Sequence, residues 1–197
     1  LWIDEIEKGL SGVQSSGQTD GGTTSRVFGT LLTWMQEKKE PVFVIATANN
    51  IKELPPELMR KGRFDEVFFV DLPSAEERSK IFKIHIESRK RKIENFNLDE
   101  LSRETKGFSG SEIEECVKEG LQTAFSEGRD LSQEDIVNAA KATVPLSITM
   151  GEGLRKLREW AKFRARQASD GVVEDIDVEK GNKIPKLKSE VNNPFID

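Results

Sequence analysis

The chain opens on Leu1-Trp2-Ile3-Asp4-Glu5, an apolar run that ends in two adjacent carboxylates. Two acids at the end of a strand can divide the work of transferring a phosphoryl group to water. That transfer needs a metal to neutralise the phosphates, an oriented water, and positive charge on the developing transition state. Asp4 is the candidate for magnesium, held through water, because a hard cation that keeps part of its hydration shell suits a carboxylate oxygen. Glu5 is the candidate general base that polarises the attacking water.

The elements that would carry these residues follow from hydrophobic spacing. Residues 1 to 72 read as alternating strands and helices, which implies a parallel, doubly wound α/β sheet. Leu1–Ile3 reads as a buried strand, and the Gly/Ser/Thr-rich stretch Gly9–Thr24 as a loop. Val27, Phe28, Leu31, Leu32 and Met35 fall at helical spacing, and Pro41 stops that pattern before Val42–Ala46, a short buried-strand run. A second helix-sized interval carries Pro55-Pro56-Glu57-Leu58, and Glu66–Asp71 supplies another strand, closed by Pro73.

From Ser74 the texture becomes helical. Ser74 with Glu77, and Ser111 with Glu114, have capping-box spacing. Ile113, Val117, Leu121 and Phe125 form a core-facing stripe, and Leu131–Ala142 a further helix beginning at Ser132. Leu154, Leu157, Trp160 and Ala161 suggest one more amphipathic helix, after which Gly171–Asp197 is expected to be extended or disordered. The expected division is a partial α/β core at 1–73, a helical unit at 74–146, and a helix with a polar tail at 147–197.

Composition narrows the function classes. With 36% hydrophobic and 33% charged residues the chain is typical of a globular domain, and a single cysteine, Cys116, excludes an internal disulfide. No run approaches the roughly eighteen apolar residues that span a bilayer, so no membrane segment is expected. The net charge of −5 disfavours nucleic acid as a partner. Arg89-Lys90-Arg91-Lys92 reads as a helix end whose cations complement the dipole, since no aromatic residue interleaves the run. The one histidine leaves no His-Glu-x-x-His protease site. No match to Gly-x-x-x-x-Gly-Lys-Ser/Thr occurs, and Leu1 is not an initiator methionine, so a phosphate loop is expected upstream.

Larger motifs carry a family resemblance. Leu1–Glu5 resembles the Walker B element of P-loop nucleotide hydrolases. Ile45-Ala46-Thr47-Ala48-Asn49-Asn50, with the segment from Leu54 to Asp65, resembles the second region of homology of the AAA family within the AAA+ ATPases. The resemblance makes Asn49 the sensor 1 residue that orients the lytic water, and Arg60 and Arg63 arginine fingers reaching a neighbouring subunit's nucleotide. Read without it, both arginines also fit loop residues paired to Glu57 or Asp65.

The likeness continues on either side. Arg26–Met35 is similar to the AAA helix after the second pore loop, which would put Ser11–Thr24 near a ring's channel; Gly29-Thr30 and Gln36-Glu37 depart from the family pattern. His85 sits in a segment resembling the first lid helix, where the family's histidine contacts the nucleotide, and Gly110 and Ser111 in one resembling the sensor 2 region, where small residues let the backbone approach adenine and ribose. The sensor 2 arginine is missing here, as in the family. The wording of residues 1–10, 62–66, 144–147 and 158–161 most resembles a bacterial, cyanobacterial and plastid-encoded group of uncharacterised AAA ATPases.

The resemblance implies a partial P-loop NTPase sheet lacking the Walker A strand, followed by a small helical lid. It implies ATP and Mg2+ as cofactors, a homo-oligomeric ring, and a protein substrate that is remodelled or translocated. The phosphate-loop strand would lie between the sensor 1 strand and Val67–Val70, so its removal is expected to leave apolar faces and an unstable or partner-dependent chain, inactive alone. The expected compartment is the cytoplasm or its plastid equivalent. A non-hydrolysing assembly or scaffold module is the alternative.

Overall fold

The computed structural model describes residues 1–10, 21–60 and 62–169. The Gly171–Asp197 tail and most of the Gly9–Thr24 loop lie outside them. The chain divides into two compact units, Leu1–Val67 and a second that begins at Phe68.

The first unit runs β1 (Trp2–Ile3), α1 (Ile6–Leu10), α2 (Gly21–Glu37) and β2 (Ile45–Ala46), followed by short 3-10 turns at Ile51–Glu53 and Pro56–Met59. The expected loop is corrected at both ends, because α1 takes in Gly9 and α2 starts at Gly21. β1 and β2 pair in parallel, Trp2 opposite Ile45 and Ile3 opposite Ala46. Successive side chains on a strand point to opposite faces. Ile3 and Ala46 therefore pack on a core built from Ile6, Leu10, Phe28, Met35, Leu54 and Leu58. The other face is bare, with Trp2 68% and Ile45 44% exposed.

The expectation of buried strands at Leu1–Ile3 and Val42–Ala46 is thus corrected. A two-stranded sheet covered by helices on one side has only one apolar face to bury. The interval around Pro55 forms 3-10 turns rather than a helix. Two successive prolines remove the donors that an α-helix would need there.

The second unit contains β3 (Phe68–Phe69), α3 (Ala75–Ser88), α4 (Leu98–Glu104), α5 (Gly110–Ser126), α6 (Gln133–Ala142), α7 (Leu146–Thr149), α8 (Gly151–Ala161) and β4 (Arg166–Gln167). β4 returns to pair in parallel with β3, and Arg158 clamps Asp71 through Nε–Oδ2 at 2.8 Å and Nη2–Oδ1 at 2.9 Å. The core joins α3 to α6 through Phe82, Ile86, Leu101, Ile113, Val117 and Ile136.

Helix starts in this unit are explicit. Capping boxes stand at Ser74–Glu77, Ser109–Glu112 and Ser132–Asp135. The second corrects the Ser111–Glu114 reading. With Ser109 as cap, Phe108 and Ile113 occupy the positions of a hydrophobic staple, and both are buried in one core. With Ser111 as cap, Gly110 would stand where the staple needs an apolar side chain. The apolar stripe is corrected too, since Phe125 is 86% exposed while Gly120 and Ala124 are buried. A four-residue step overshoots the helical repeat by about 40°, so three steps carry a residue off the face. Arg89 and Arg91, past the end of α3, pair with Glu114 at 3.1 Å and Asp130 at 2.5 Å.

Candidate active site

The acids sit where β1 turns into α1. Thr47 continues β2 by one residue and lies one step past the Ile3–Ala46 pair, opposite Asp4. Its hydroxyl donates to Asp4 Oδ1 at 2.5 Å and accepts the Glu5 N–H at 2.9 Å. One threonine thus fixes an oxygen of the first acid and the backbone of the second. Glu5 has φ +48, the left-handed region that a non-glycine residue adopts only under constraint. The Thr47 carbonyl accepting the Ile6 N–H at 2.9 Å helps impose that turn.

Asn49 falls two residues beyond Thr47, and its Nδ2 donates to Glu5 Oε1 at 2.8 Å. The other carboxylate oxygen, Oε2, accepts from Lys8 Nζ at 2.6 Å. Glu5 raises the Lys8 pKa, through this hydrogen bond first and then through its charge, with smaller contributions from Glu7 and Asp4. Asp4 is exposed and Glu5 half-buried, so both carboxylates are open to water. Among the described residues no three acids, histidines or cysteines converge on a metal. The exposed Asp4 carboxylate, with one oxygen on Thr47, fits as a ligand for magnesium, which binds through one or two carboxylates and keeps several waters.

The structure therefore brings Asp4, Glu5 and Asn49 into one network. The arginines are not part of it. Arg60 is exposed at the end of a 3-10 turn, and Arg63 donates through Nη1 to the Leu32 carbonyl. Neither forms an ion pair with Glu57 or Asp65 among the described residues.

His85, Gly110 and Ser111 belong to the second unit, on α3 and the first turn of α5. Gly110 lies against Ile81, one turn before His85, so helix start and histidine share one pair of helices. Burial lowers the His85 pKa; Glu114 opposes that shift, whereas Arg89 and Lys118 add to it.

Sequence reading missed Thr47, Glu7 and Lys8. Thr47 carried a usable signal, since alternation along β2 puts it on the same side as Asn49. Lys8 could have been found as the cation one helical turn after Glu5.

The family model described as the ATPase family associated with various cellular activities (AAA) matches residues 1–72, and that of the AAA+ lid domain matches residues 95–138. The chain belongs to the AAA family. The solved structure of the FIGL-1 AAA domain in complex with ADP superposes with a TM-score of 0.67 at 21% identity, over 83% of this chain and 57% of that one. The fold is a partial AAA+ α/β core followed by a helical lid.

Among similar AAA proteins, the uncharacterized AAA domain-containing protein ycf46 of Pyropia yezoensis is 54% identical over 86% of this chain and 34% of its own length. That of Guillardia theta is 51% identical over 82% of this chain and 32% of its own length. The cell division cycle protein 48 homolog of Archaeoglobus fulgidus is 31% identical over 80% of this chain and 22% of its own length. The chain spans about a third of the length of the ycf46 relatives.

Proposed function

We propose that the full-length protein binds and hydrolyses MgATP as an oligomer and uses the energy to remodel or translocate a protein substrate. The observation that carries this reading is the Asp4–Thr47–Glu5–Asn49 network at the ends of two parallel strands. Asp4 would hold magnesium through water, and the metal would neutralise charge on the phosphates. Glu5 takes a proton from the attacking water at its carboxylate. Asn49, already bonded to that carboxylate, orients the same water.

Arg60 and Arg63 supply guanidinium charge in trans to the neighbouring subunit, which makes activity depend on assembly. For Arg63 this requires leaving the Leu32 carbonyl. In GTPases an arginine of this kind is worth about 10³ to 10⁵ in rate. His85, Gly110 and Ser111 contact the sugar or base of ATP. The competing reading, a non-hydrolysing assembly module, draws on the Lys8 ion pair that occupies the carboxylate of Glu5.

The test is MgATP turnover of the full-length protein against its concentration, with Glu5→Gln as control. Expected are a specific activity that rises with concentration and a loss of about 10² to 10⁴ in the control. A folded protein with no turnover at any concentration would move the function to the assembly module.

A further inference from the structure

The parallel ladder between β1 and β2 has a regular donor series: Ile45 N–H donates to the Leu1 carbonyl at 2.8 Å and Thr47 N–H to the Ile3 carbonyl at 2.9 Å. The next donor in that series is Asn49 N–H, and its acceptor would be the Glu5 carbonyl. That carbonyl is not available, because the chain turns at Glu5 and its oxygen accepts the Lys8 N–H of α1 at 2.9 Å. The Asn49 N–H goes instead to the side chain of Glu7, at 3.0 Å from Oε1.

Glu7 is an unusual residue for that position. It is 2% exposed on the first turn of α1, and among the described residues its buried Oε2 has no hydrogen-bond partner. Burying a carboxylate oxygen unpaired is costly, so its presence calls for a compensating role. The other oxygen ties the backbone of the residue whose side chain meets Glu5.

We propose that Glu7 is a positioning residue for hydrolysis: it stands in for the missing ladder acceptor of β1 and so holds the Asn49 carboxamide against Glu5. The inference rests on the reading of Glu5 and Asn49 as the hydrolytic pair. Glu7 itself touches neither the attacking water nor the nucleotide. It acts through the Asn49 backbone, and the cost of losing it is misorientation of one side chain.

The experiment uses the full-length protein with Glu7→Ala, Glu7→Gln and Asn49→Ala, alone and combined. Gln keeps an Oε1 that can accept the Asn49 N–H. Expected are a kcat loss of about tenfold to a hundredfold for Glu7→Ala with KM for MgATP little changed, near-normal kcat for Glu7→Gln, and no further loss when Glu7→Ala is added to Asn49→Ala. A full additional loss in the Asn49→Ala background, or a Gln variant as impaired as Ala, would overturn the proposal. Amide hydrogen exchange at Asn49 supplies a readout independent of turnover. Slow exchange in the wild type and Glu7→Gln with fast exchange in Glu7→Ala supports the tether even if the protein hydrolyses nothing, whereas equal exchange in all three removes it.

Discussion

In the unit that begins at Phe68, the side chains of Phe82, Ile86, Leu101, Ile113, Val117 and Ile136 are at most 1% exposed. In Leu1–Val67, Leu58 alone among the described core side chains reaches that value, while Trp2, Phe43 and Ile45 stand open. The helical unit owes its order to a continuous apolar core and three capping boxes. The α/β unit owes the order of its acids to a few hydrogen bonds between two-residue strands. The residues proposed for hydrolysis therefore stand on the unit with fewer fully buried core side chains, where hydrogen bonds of Thr47, Asn49 and Glu7 rather than close packing set their positions.

This contrast can be broken by mutation. Phe82→Ala is expected to cost the helical unit about 3–5 kcal/mol in chemical denaturation, because it empties the centre of a closed core. The matched aromatic deletion Trp2→Ala removes a side chain already in water and is expected to change the stability of the chain by less than about 0.5 kcal/mol. Comparable losses for the two would place the cores on an equal footing and remove the distinction.

A smaller effect sharpens the reading of α5. Ser109→Ala is expected to cost about 1 kcal/mol and Ser111→Ala less than about 0.5, since the cap hydrogen bond from Glu112 N–H ends on Ser109. The reverse order in thermal melts would restore the Ser111 cap.

The smallest expected effect is a pH dependence in the helical unit. Burial lowers the His85 pKa, so on acidification the unfolded chain takes up its proton first, near the ordinary value of about 6.5. The contribution of His85 is complete above that pH and is lost as pH falls through the lower folded value. Melting curves between pH 8 and pH 5 should therefore decline more in the wild type than in His85→Gln. Equal slopes would mean that His85 is not desolvated.

The two α5 serines explain much about what is legible in a sequence. Ser109–Glu112 and Ser111–Glu114 are both capping-box patterns, and local spacing does not choose between them. The choice lies in the Phe108–Ile113 contact, which exists only once the core closes. Ser74 and Ser132 have no overlapping rival and were readable directly. Parallel pairing and the helical lid were likewise legible, the first from alternation of strands and helices. The bare face of Trp2 and Ile45 was not, because an apolar run reads as buried whether or not anything covers it.

At the site, Asp4, Glu5 and Asn49 were legible from motif order. Alternation along β2 signals that Thr47 shares a side with Asn49, whereas Glu7 became visible only through the register of β1 on β2, which leaves the Asn49 N–H one acceptor short. The contact of Arg63 with the Leu32 carbonyl was not legible, because it depends on where α2 packs.

The most direct test is a double dissociation in the full-length protein, measuring kcat for MgATP and the thermal stability of the helical unit in Asn49→Ala and Ile136→Val. Asn49→Ala should lose kcat by about tenfold or more with the melting of α3–α6 unchanged, since the Asn49 side chain is exposed and its bond to Glu5 serves orientation. Ile136→Val should lose about 0.5–1.5 kcal/mol of stability and keep kcat below its melting range. Wild-type turnover in Asn49→Ala, or a matching kcat loss in folded Ile136→Val, would contradict the assignment of chemistry to the strand ends.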